Sequence, residues 1–203
     1  MKSAEILIAT KNLHKLEEIS QILTPYNIKV KSLLDFPLTG EAVEDGASFE
    51  ENASKKALFY SWETKLLSLA DDSGLEIDFL NGDPGIHSAR YLDPSMSFSA
   101  RCEHILDIMK SVGDESRGAQ FTCVIAIASP GKLCGIFRGE LRGFISREKK
   151  GDYGFGYDPI FYVPEHGKNL AELEPSIKNA ISHRARALQN SLSSIIELAS
   201  LQA

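Results

Sequence analysis

The chain has 203 residues, of which 43% are apolar and 25% are charged, a composition that excludes long disordered regions. This length suits one domain, and we interpret residues 1–203 as a single domain of two lobes. The net charge of −6 argues against bulk binding to nucleic acid or to a membrane surface, but it is compatible with a local basic pocket for a small anion.

The cysteines and the hydropathy pattern indicate the cellular location of the protein. Cys102, Cys123 and Cys134 form no C-x-x-C pair and lie in apolar surroundings, so buried thiols are expected rather than disulfides or a zinc site. The apolar run near the amino terminus is too short for a signal peptide, and no later segment is long enough to span a bilayer. We therefore expect a cytoplasmic location.

Strand and helix patterns alternate in the first half of the chain. "EILIAT" is typical of a strand, and "NLHKLEEISQILTPY" has leucines at helical spacing up to Pro25. "IKVKSLL" predicts a second strand, and Ser48 with Glu51 forms a capping box before the next helix. "LLSLAD" and "LEIDFL" predict two strand segments separated by a break at Asp-Asp-Ser-Gly.

The second half is richer in strand patterns. "SFSARCEHILDIMKSV" predicts a helix, "AQFTCVIAIA" and "KLCGIFRGELRGFIS" predict a hairpin, and residues 177–201 predict one long helix. Because early alternation is followed by clustered strands, we predict an α/β fold with a mixed β-sheet flanked by helices, and two lobes with a cleft between them.

Two adjacent aspartates, Asp71 and Asp72, end a strand pattern. Neighbouring side chains of a strand point to opposite faces of a sheet, so one of the two must face a cleft or a partner. The alternative is an ordinary polar strand end before a turn at Gly74.

Two groups of cationic residues could neutralise an anion. In "TKNLHK", Thr10, Lys11, Asn12 and Lys15 lie between a strand and the positive end of a helix, although a capped helix with solvated lysines explains the same residues. "KNAISHRARA" places Lys178, His183 and Arg184 in the first turns of the last helix, where solvated side chains are the alternative.

An aromatic loop, "GFGYDPIF", lies between these groups in the sequence. Gly154 and Gly156 permit close backbone approach and Phe155 is suited to stacking on a base, although a tight turn before an edge strand also explains the glycines. Carboxylates for a divalent cation, cations for phosphates and an aromatic for a base together describe a nucleoside triphosphate site.

The sequence resembles the inosine triphosphate pyrophosphatase family, also called XTP/dITP diphosphatases. The matching stretches are "TKNLHK", "FEENA", "ADDSGL", "GDPGIHSARY", "FGYDPIF" and "KNAISHR", in this order over almost the whole chain. The resemblance implies an elongated α/β fold, a homodimer, dependence on Mg²⁺, and hydrolysis of ITP, dITP and XTP to the monophosphate and pyrophosphate.

The resemblance also implies roles for individual residues. Asp72 would bind the metal and activate water, and Glu41 would be a second metal ligand, with Glu44 as the alternative. The residues implied to bind substrate are Thr10, Lys11, Asn12, Leu13, His14, Lys15, Ser73, Phe155, Gly156, Tyr157, Asp158, Lys178, His183 and Arg184.

Two other functions fit the same residues. One is a nucleotide diphosphatase with a different base preference, because phosphate and metal ligands do not distinguish bases. The other is a nucleotide-binding sensor without turnover. The paired aspartates favour chemistry over sensing, and the acidic net charge disfavours nucleic acid as a partner.

Overall fold

A computed structural model describes residues 5–26, 28–37 and 40–201, and the remaining residues of the predicted domain lie outside the described part. The strands in these ranges are β1 (Glu5–Ile8), β2 (Lys29–Ser32), β3 (Leu67–Ile77), β4 (Gly118–Ser129), β5 (Lys132–Ile145), β6 (Phe161–Val163) and β7 (Lys168–Asn169). They form a seven-stranded sheet in the order β2-β1-β3-β4-β5-β6-β7. Strand β1 pairs in parallel with β2 and β3, and β6 pairs antiparallel with β5 and β7, so the predicted mixed sheet is confirmed.

Helices flank the sheet, as the alternation of patterns predicts. They are α1 (Leu13–Leu23), α2 (Phe49–Thr64), α3 (Phe98–Ile108), α4 (Pro175–Ile181) and α5 (His183–Ser200). Helix α2 begins where its capping signal predicts, because Ser48 Oγ accepts a hydrogen bond from the Glu51 N–H at 3.1 Å. The predicted hairpin is also present, since β4 and β5 are neighbours joined by Pro130 and Gly131.

Strand β3 differs from its prediction, because it runs without a break through Asp71, Asp72 and Ser73. The Gly74 that suggested a turn is needed for close packing instead. A Cβ atom at Gly74 would lie 2.2 Å from the carbonyl oxygen of Gly85, and the following N–H, that of Leu75, donates to Ser88 Oγ at 2.9 Å. The glycine therefore lets another segment approach a continuous strand.

The predicted single helix over residues 177–201 is wrong in one respect, since Ser182 interrupts it. Ser182 has extended dihedral angles (φ −63°, ψ 157°) and ends α4, and α5 begins at the next residue. Serine is favoured just before a helix and is a weak helix former inside one, which fits this position. Lys178 consequently belongs to α4, whereas His183 and Arg184 open α5.

The chain divides into two compact units. Unit 1 contains the described residues among Met1–Asp72, Cys123–Gly139 and Arg184–Ala203, and unit 2 contains Ser73–Thr122 and Glu140–His183. The predicted single domain with a cleft between two lobes stays a prediction.

Each unit has its own apolar core. In unit 1, strands β1, β3 and β4 pack against α1 and α5 through a cluster that includes Ile6, Leu69, Ile125, Ile19 and Leu188. In unit 2, Cys102 and Ile105 of α3 and its C-cap residue Met109 lie in the core cluster. The helical pattern also predicts Phe98 on this buried face, but Phe98 is 36% exposed. Burial of these side chains fixes the backbones that carry the polar groups described next.

No helix in the described ranges combines the length and the apolar character needed to cross a membrane. The cytoplasmic location stays a prediction.

Candidate functional site

The junction between β1 and α1 is a capped helix start in unit 1. Asn12 is the N-cap of α1, and its Oδ1 accepts hydrogen bonds from the N–H groups of His14 and Lys15 at 3.0 and 3.3 Å. Thr10 Oγ1 accepts a hydrogen bond from the Asn12 N–H at 3.1 Å. Leu13 and His14 are exposed on the first turn. The sequence analysis gave a capped helix with solvated lysines as the alternative for these residues, and the cap is confirmed.

The lysines at this junction are not simply solvated, because each has an acidic partner. Lys15 Nζ lies 2.8 Å from Asp71 Oδ2, and the Lys15 side chain is only 16% exposed. Lys11 forms an exposed ion pair with Glu41. Lys15 is thus placed over β3 by the first turn of α1.

Asp71 is the centre of a buried ion network in unit 1. Besides Lys15, its Oδ2 accepts from Nε and Nη2 of Arg184 at 3.3 Å each, and Arg184 Nη1 donates to Glu18 at 2.5 Å. Burial alone would raise the pKa of Asp71, but the nearby charges of Lys15 and Arg184 outweigh it and lower that pKa below its ordinary value. Asp71 is therefore ionised at neutral pH and anchors α1 and α5.

Asp72 makes different contacts, as alternation along a strand requires. Its Oδ2 accepts a hydrogen bond from Asn52 Nδ2 of α2 at 3.1 Å. The Asp72 residue is 7% exposed, and burial raises its pKa above the ordinary value, against the opposing charges of Lys56 and Lys15 and the Asn52 hydrogen bond. Asp71 is locked by cations, whereas Asp72 is held by a neutral amide.

A small cavity of about 140 Å³ lies in the same unit, beside the acidic segment that precedes α2. Both candidate metal ligands, Glu41 and Glu44, line it together with Thr10 and Lys11. Lys56 also lines the cavity, lies 3.1 Å from Glu44 and donates to the backbone carbonyl of Asp71 at 3.0 Å. Lys56 thus connects Glu44, but not Glu41, with the backbone next to Asp72.

Two polar residues of this site, Asn52 and Lys56, were not identified from the sequence. They lie one turn apart on α2, a helix that buries Ala53, Ala57 and Tyr60. The signal available in the sequence was their spacing, since Asn and Lys at i, i+4 share a side of the helix next to Ala53 and Ala57.

The aromatic loop of unit 2 is organised by a buried carboxylate. Asp158 Oδ2 accepts from the Phe155 N–H at 2.9 Å and pairs with Lys178 Nζ at 2.7 Å, and both charged side chains are 4% exposed. The Lys178 ammonium lies 4.5 Å from the centre of the Phe155 ring. Gly156 has φ +68°, a left-handed conformation that suits glycine. The predicted residues Phe155, Asp158 and Lys178 are therefore assembled in one cluster.

Tyr157 and His183 are buried in unit 2 by separate contacts. Tyr157 donates its hydroxyl to the Ser88 carbonyl at 2.9 Å and packs edge-on against Phe98. His183 stacks on Phe121, with ring centres 4.7 Å apart and planes 10° apart. The stack fixes the plane of the imidazole and hence the directions in which its nitrogens point. Ser73 is half-buried on β3.

The predicted site residues thus fall into two sets. Unit 1 brings Lys15 and Arg184 to Asp71, with Thr10, Lys11 and Glu41 along the cavity. Unit 2 brings Phe155, Asp158 and Lys178 together. The role of each predicted residue in substrate binding stays a prediction.

The mixed sheet flanked by helices, with lysines and aspartates at a strand–helix junction and on β3, defines an α/β protein with an open sheet and a charged site. The chain belongs to the Ham1 family, whose model matches residues 6–193. A dITP/XTP pyrophosphatase of Geobacillus kaustophilus is 45% identical over 184 residues, 91% of this chain and 90% of that protein. Another, from Shouchella clausii, is 46% identical over 184 residues, 91% of this chain and 92% of that protein.

A solved structure agrees with the family assignment. The HAM1 protein of Coxiella burnetii is 40% identical and superposes with a TM-score of 0.85 over 96% of this chain and 99% of that one. The resemblance identified from six sequence stretches is confirmed by these matches.

One expected result concerns stability. Asp72→Asn should raise the melting temperature of the metal-free protein at pH 7, because burial raises the pKa of Asp72 and so makes its ionised form costly in the folded state. A raised folded pKa contributes stability that is fully present below the unfolded pKa and lost as pH rises through the folded pKa. The gain should therefore shrink as pH falls through the folded pKa of Asp72 and be lost by about pH 4, the ordinary aspartate value.

Melting curves of both proteins in EDTA between pH 4 and 8 measure this difference. A variant that is less stable than the wild type at pH 7 would contradict it.

Proposed function

We propose that the protein hydrolyses the deaminated purine nucleoside triphosphates ITP, dITP and XTP to the monophosphate and pyrophosphate, removing them from the pools used for DNA and RNA. The two relatives described above, which align with 91% of this chain, are dITP/XTP pyrophosphatases, and this supports the substrate class. The structural observation that carries the proposal is the buried Asp72, held by an amide beside a network of lysines and Asp71.

In this reading, Asp72 positions the water that attacks the α-phosphorus while pyrophosphate leaves. A carboxylate whose pKa is raised accepts a proton more readily than an exposed one, so burial of Asp72 suits water activation. A carboxylate bound to Mg²⁺ is a poor base, so the alternative is that Asp72 ligates the metal and orients the water. Lys15 and Lys56 supply positive charge along β3, where charge on the phosphate oxygens must be neutralised. The β1–α1 junction, with Thr10, Lys11, Asn12, Leu13 and His14, is assigned to the phosphates.

The carboxylates present fit Mg²⁺. In the described ranges, no three His, Cys, Asp or Glu side chains lie together as a ready metal cage. Mg²⁺ is commonly bound by one or two carboxylates together with substrate phosphates and water, so Asp72 with Glu41 or Glu44 is a sufficient protein contribution. When bound, Mg²⁺ neutralises phosphate charge and polarises water. Of the two glutamates, Glu44 is the one that Lys56 connects with the backbone carbonyl of Asp71, next to Asp72.

Base recognition is assigned to unit 2. Inosine presents a 6-oxo acceptor and a ring N–H where adenine presents an amino group, so the site needs hydrogen-bond donors at that edge. His183 is buried with a fixed ring plane, and Phe155 offers an aromatic face beside Lys178. Ser73, Gly156, Tyr157 and Asp158 are the other residues of this unit assigned to the nucleotide. A donor facing an adenine amino group is left unpaired, which can reject a substrate by roughly 10⁴-fold.

We expect His183→Ala to lower the preference for ITP over ATP more than Lys15→Ala does. Phosphates carry no information about the base, so Lys15→Ala should reduce kcat/KM for all nucleotides by a similar factor. The measurement is kcat/KM for ITP, XTP, GTP and ATP in both variants, with the exposed His166→Ala as the matched control. An unchanged ITP/ATP ratio in His183→Ala would place base recognition elsewhere.

The proposed function itself is tested by pyrophosphate release from ITP, XTP, dITP, ATP, GTP and CTP with Mg²⁺. Selective release from the first three supports it. Equal release from modified or ordinary pyrimidines would favour a diphosphatase of different base preference, and tight binding without turnover would favour a sensor. A homodimer, as the resemblance implies, is part of the proposal and is checked by light scattering.

A further inference from the structure

The amide of Asn52 lies between Asp72 and the backbone of the acidic segment before α2. Asn52 is 1% exposed. Its Nδ2 donates to Asp72 Oδ2 at 3.1 Å, and its Oδ1 accepts from the Gly46 N–H at 2.8 Å. One buried side chain thus holds both a strand carboxylate and the end of a loop.

An amide suits the chemistry of the two partners of Asn52. An ionised carboxylate only accepts hydrogen bonds and a backbone N–H only donates, so the residue between them must donate on one side and accept on the other. Aspartate would keep the acceptor for Gly46 but would face Asp72 with a second negative charge. Alanine would lose both bonds and leave a buried N–H unsatisfied.

The backbone around Gly46 is packed closely onto Asn52. A Cβ atom at Gly46 would lie 2.7 Å from both Asn52 Oδ1 and Glu51 Cβ. The next N–H, that of Ala47, donates to Glu51 Oε2 at 2.9 Å. The end of the segment is therefore fixed at the start of α2, two residues after Glu44.

We infer that Asn52 is a positioning residue for metal and water at Asp72, an inference that rests on the proposed function. By occupying Asp72 Oδ2, the amide presents Oδ1 to the metal or the attacking water. By holding Gly46, it also fixes the segment that carries Glu41 and Glu44, the two candidate ligands that line the cavity. Partners that orient a metal ligand typically contribute about 10- to 100-fold to metal affinity or activity.

The experiment compares Asn52→Ala and Asn52→Asp with the wild type. Ser61→Ala is the matched control, because Ser61 is equally buried on the same helix and donates to the Leu58 and Ser129 carbonyls instead. Two quantities are measured: kcat and KM for ITP, and binding of Mn²⁺ by electron paramagnetic resonance with the non-hydrolysable α,β-imido analogue of ITP. Should Asn52→Ala fail to fold, Asn52→Ser takes its place.

We expect both Asn52 variants to lower kcat and weaken Mn²⁺ binding by about 10- to 100-fold, with a smaller change in KM. Ser61→Ala should stay within about twofold in both measurements, even where its melting temperature falls. In the Asp72→Asn background, Asn52→Ala should have a smaller effect, because the part of its action that passes through Asp72 is already lost.

Values within about twofold of wild type in the Asn52 variants, or an equal loss in Ser61→Ala, would overturn the inference. So would an undiminished effect in the Asp72→Asn background. Mn²⁺ binding needs no turnover, so a wild-type protein that binds metal and analogue but releases no pyrophosphate would refute the proposed function while leaving Asn52 testable.

Discussion

Asp72→Asn is expected to lower kcat for ITP by at least about a hundredfold while the protein stays folded. Asparagine has nearly the shape of aspartate and can still accept a hydrogen bond from Asn52, so packing on β3 is preserved. It lacks the negative charge that ligates metal and the basicity that takes a proton from water. Initial rates of pyrophosphate release at saturating Mg²⁺ and ITP measure the loss, with circular dichroism confirming the fold.

Asp71→Asn provides the comparison, because it removes the neighbouring carboxylate from the other side of the same strand. Asp71 pairs with Lys15 and Arg184, so its loss should affect both stability and activity, with the smaller effect on turnover. If Asp71→Asn were the more damaging to turnover in a folded protein, the roles assigned to the two aspartates would have to be exchanged.

Arg184→Ala is expected to destabilise the protein by about 3–5 kcal/mol, the usual cost of leaving a buried charge without its partner. Arg184 is 2% exposed and pairs with both Asp71 and Glu18. Its removal leaves Asp71 with Lys15 as the remaining cation of the network and unties α5 from α1. Denaturant unfolding at pH 7 gives the free energy of unfolding of each protein.

Arg138→Ala is the control, since Arg138 pairs with Glu50 at 2.9 Å on the surface of the same unit. An exposed pair of this kind contributes about 0–1 kcal/mol. A loss of less than about 1 kcal/mol in Arg184→Ala would show that the buried network is not stabilising. Arg184→Lys, which keeps the charge but not the planar fork, should lie between the alanine variant and the wild type.

The cost of Arg184→Ala should also depend on pH. The pKa of Asp71 is lowered in the folded protein, so its stabilising contribution is present above the unfolded aspartate pKa and is lost as pH falls through the folded one. The difference between variant and wild type is therefore expected to be full at pH 7 and to shrink below about pH 4. A difference that stays constant down to pH 2 would exclude Asp71 as its source.

Local features of the fold and site could be predicted from the sequence. The side-chain period of two along a strand separates Asp71 from Asp72, and the structure places their partners on different helices: Lys15 and Arg184 for one, Asn52 for the other. The cap at Ser48 and the helix start after Asn12 depend only on residues within a turn, and both are observed.

Features that depend on distant segments could not be predicted. The partners Asp71 and Arg184 are 113 residues apart in the chain, and a cationic residue near a helix start gives no indication of burial. Gly74 suggested a turn because the approach of Gly85 is not visible in the local sequence. The polar stripe of Asn52 and Lys56 was missed for the same reason, since its partners lie on another segment.

Because β3 is continuous, the face of the sheet that each carboxylate occupies depends on its number of residues from the paired position. Ile8 of β1 is in register with Leu69 of β3, and Asp71 and Asp72 follow on the same uninterrupted strand. Inserting or deleting one residue between that paired position and the aspartates would send each carboxylate to the opposite side of the sheet. A loop can change its length without changing the strands that it joins. In a strand, a one-residue change reverses the direction of every following side chain. We therefore expect no insertions or deletions in this stretch among members of the family. A substitution, in contrast, leaves the alternation of side chains between the two faces of the sheet unchanged.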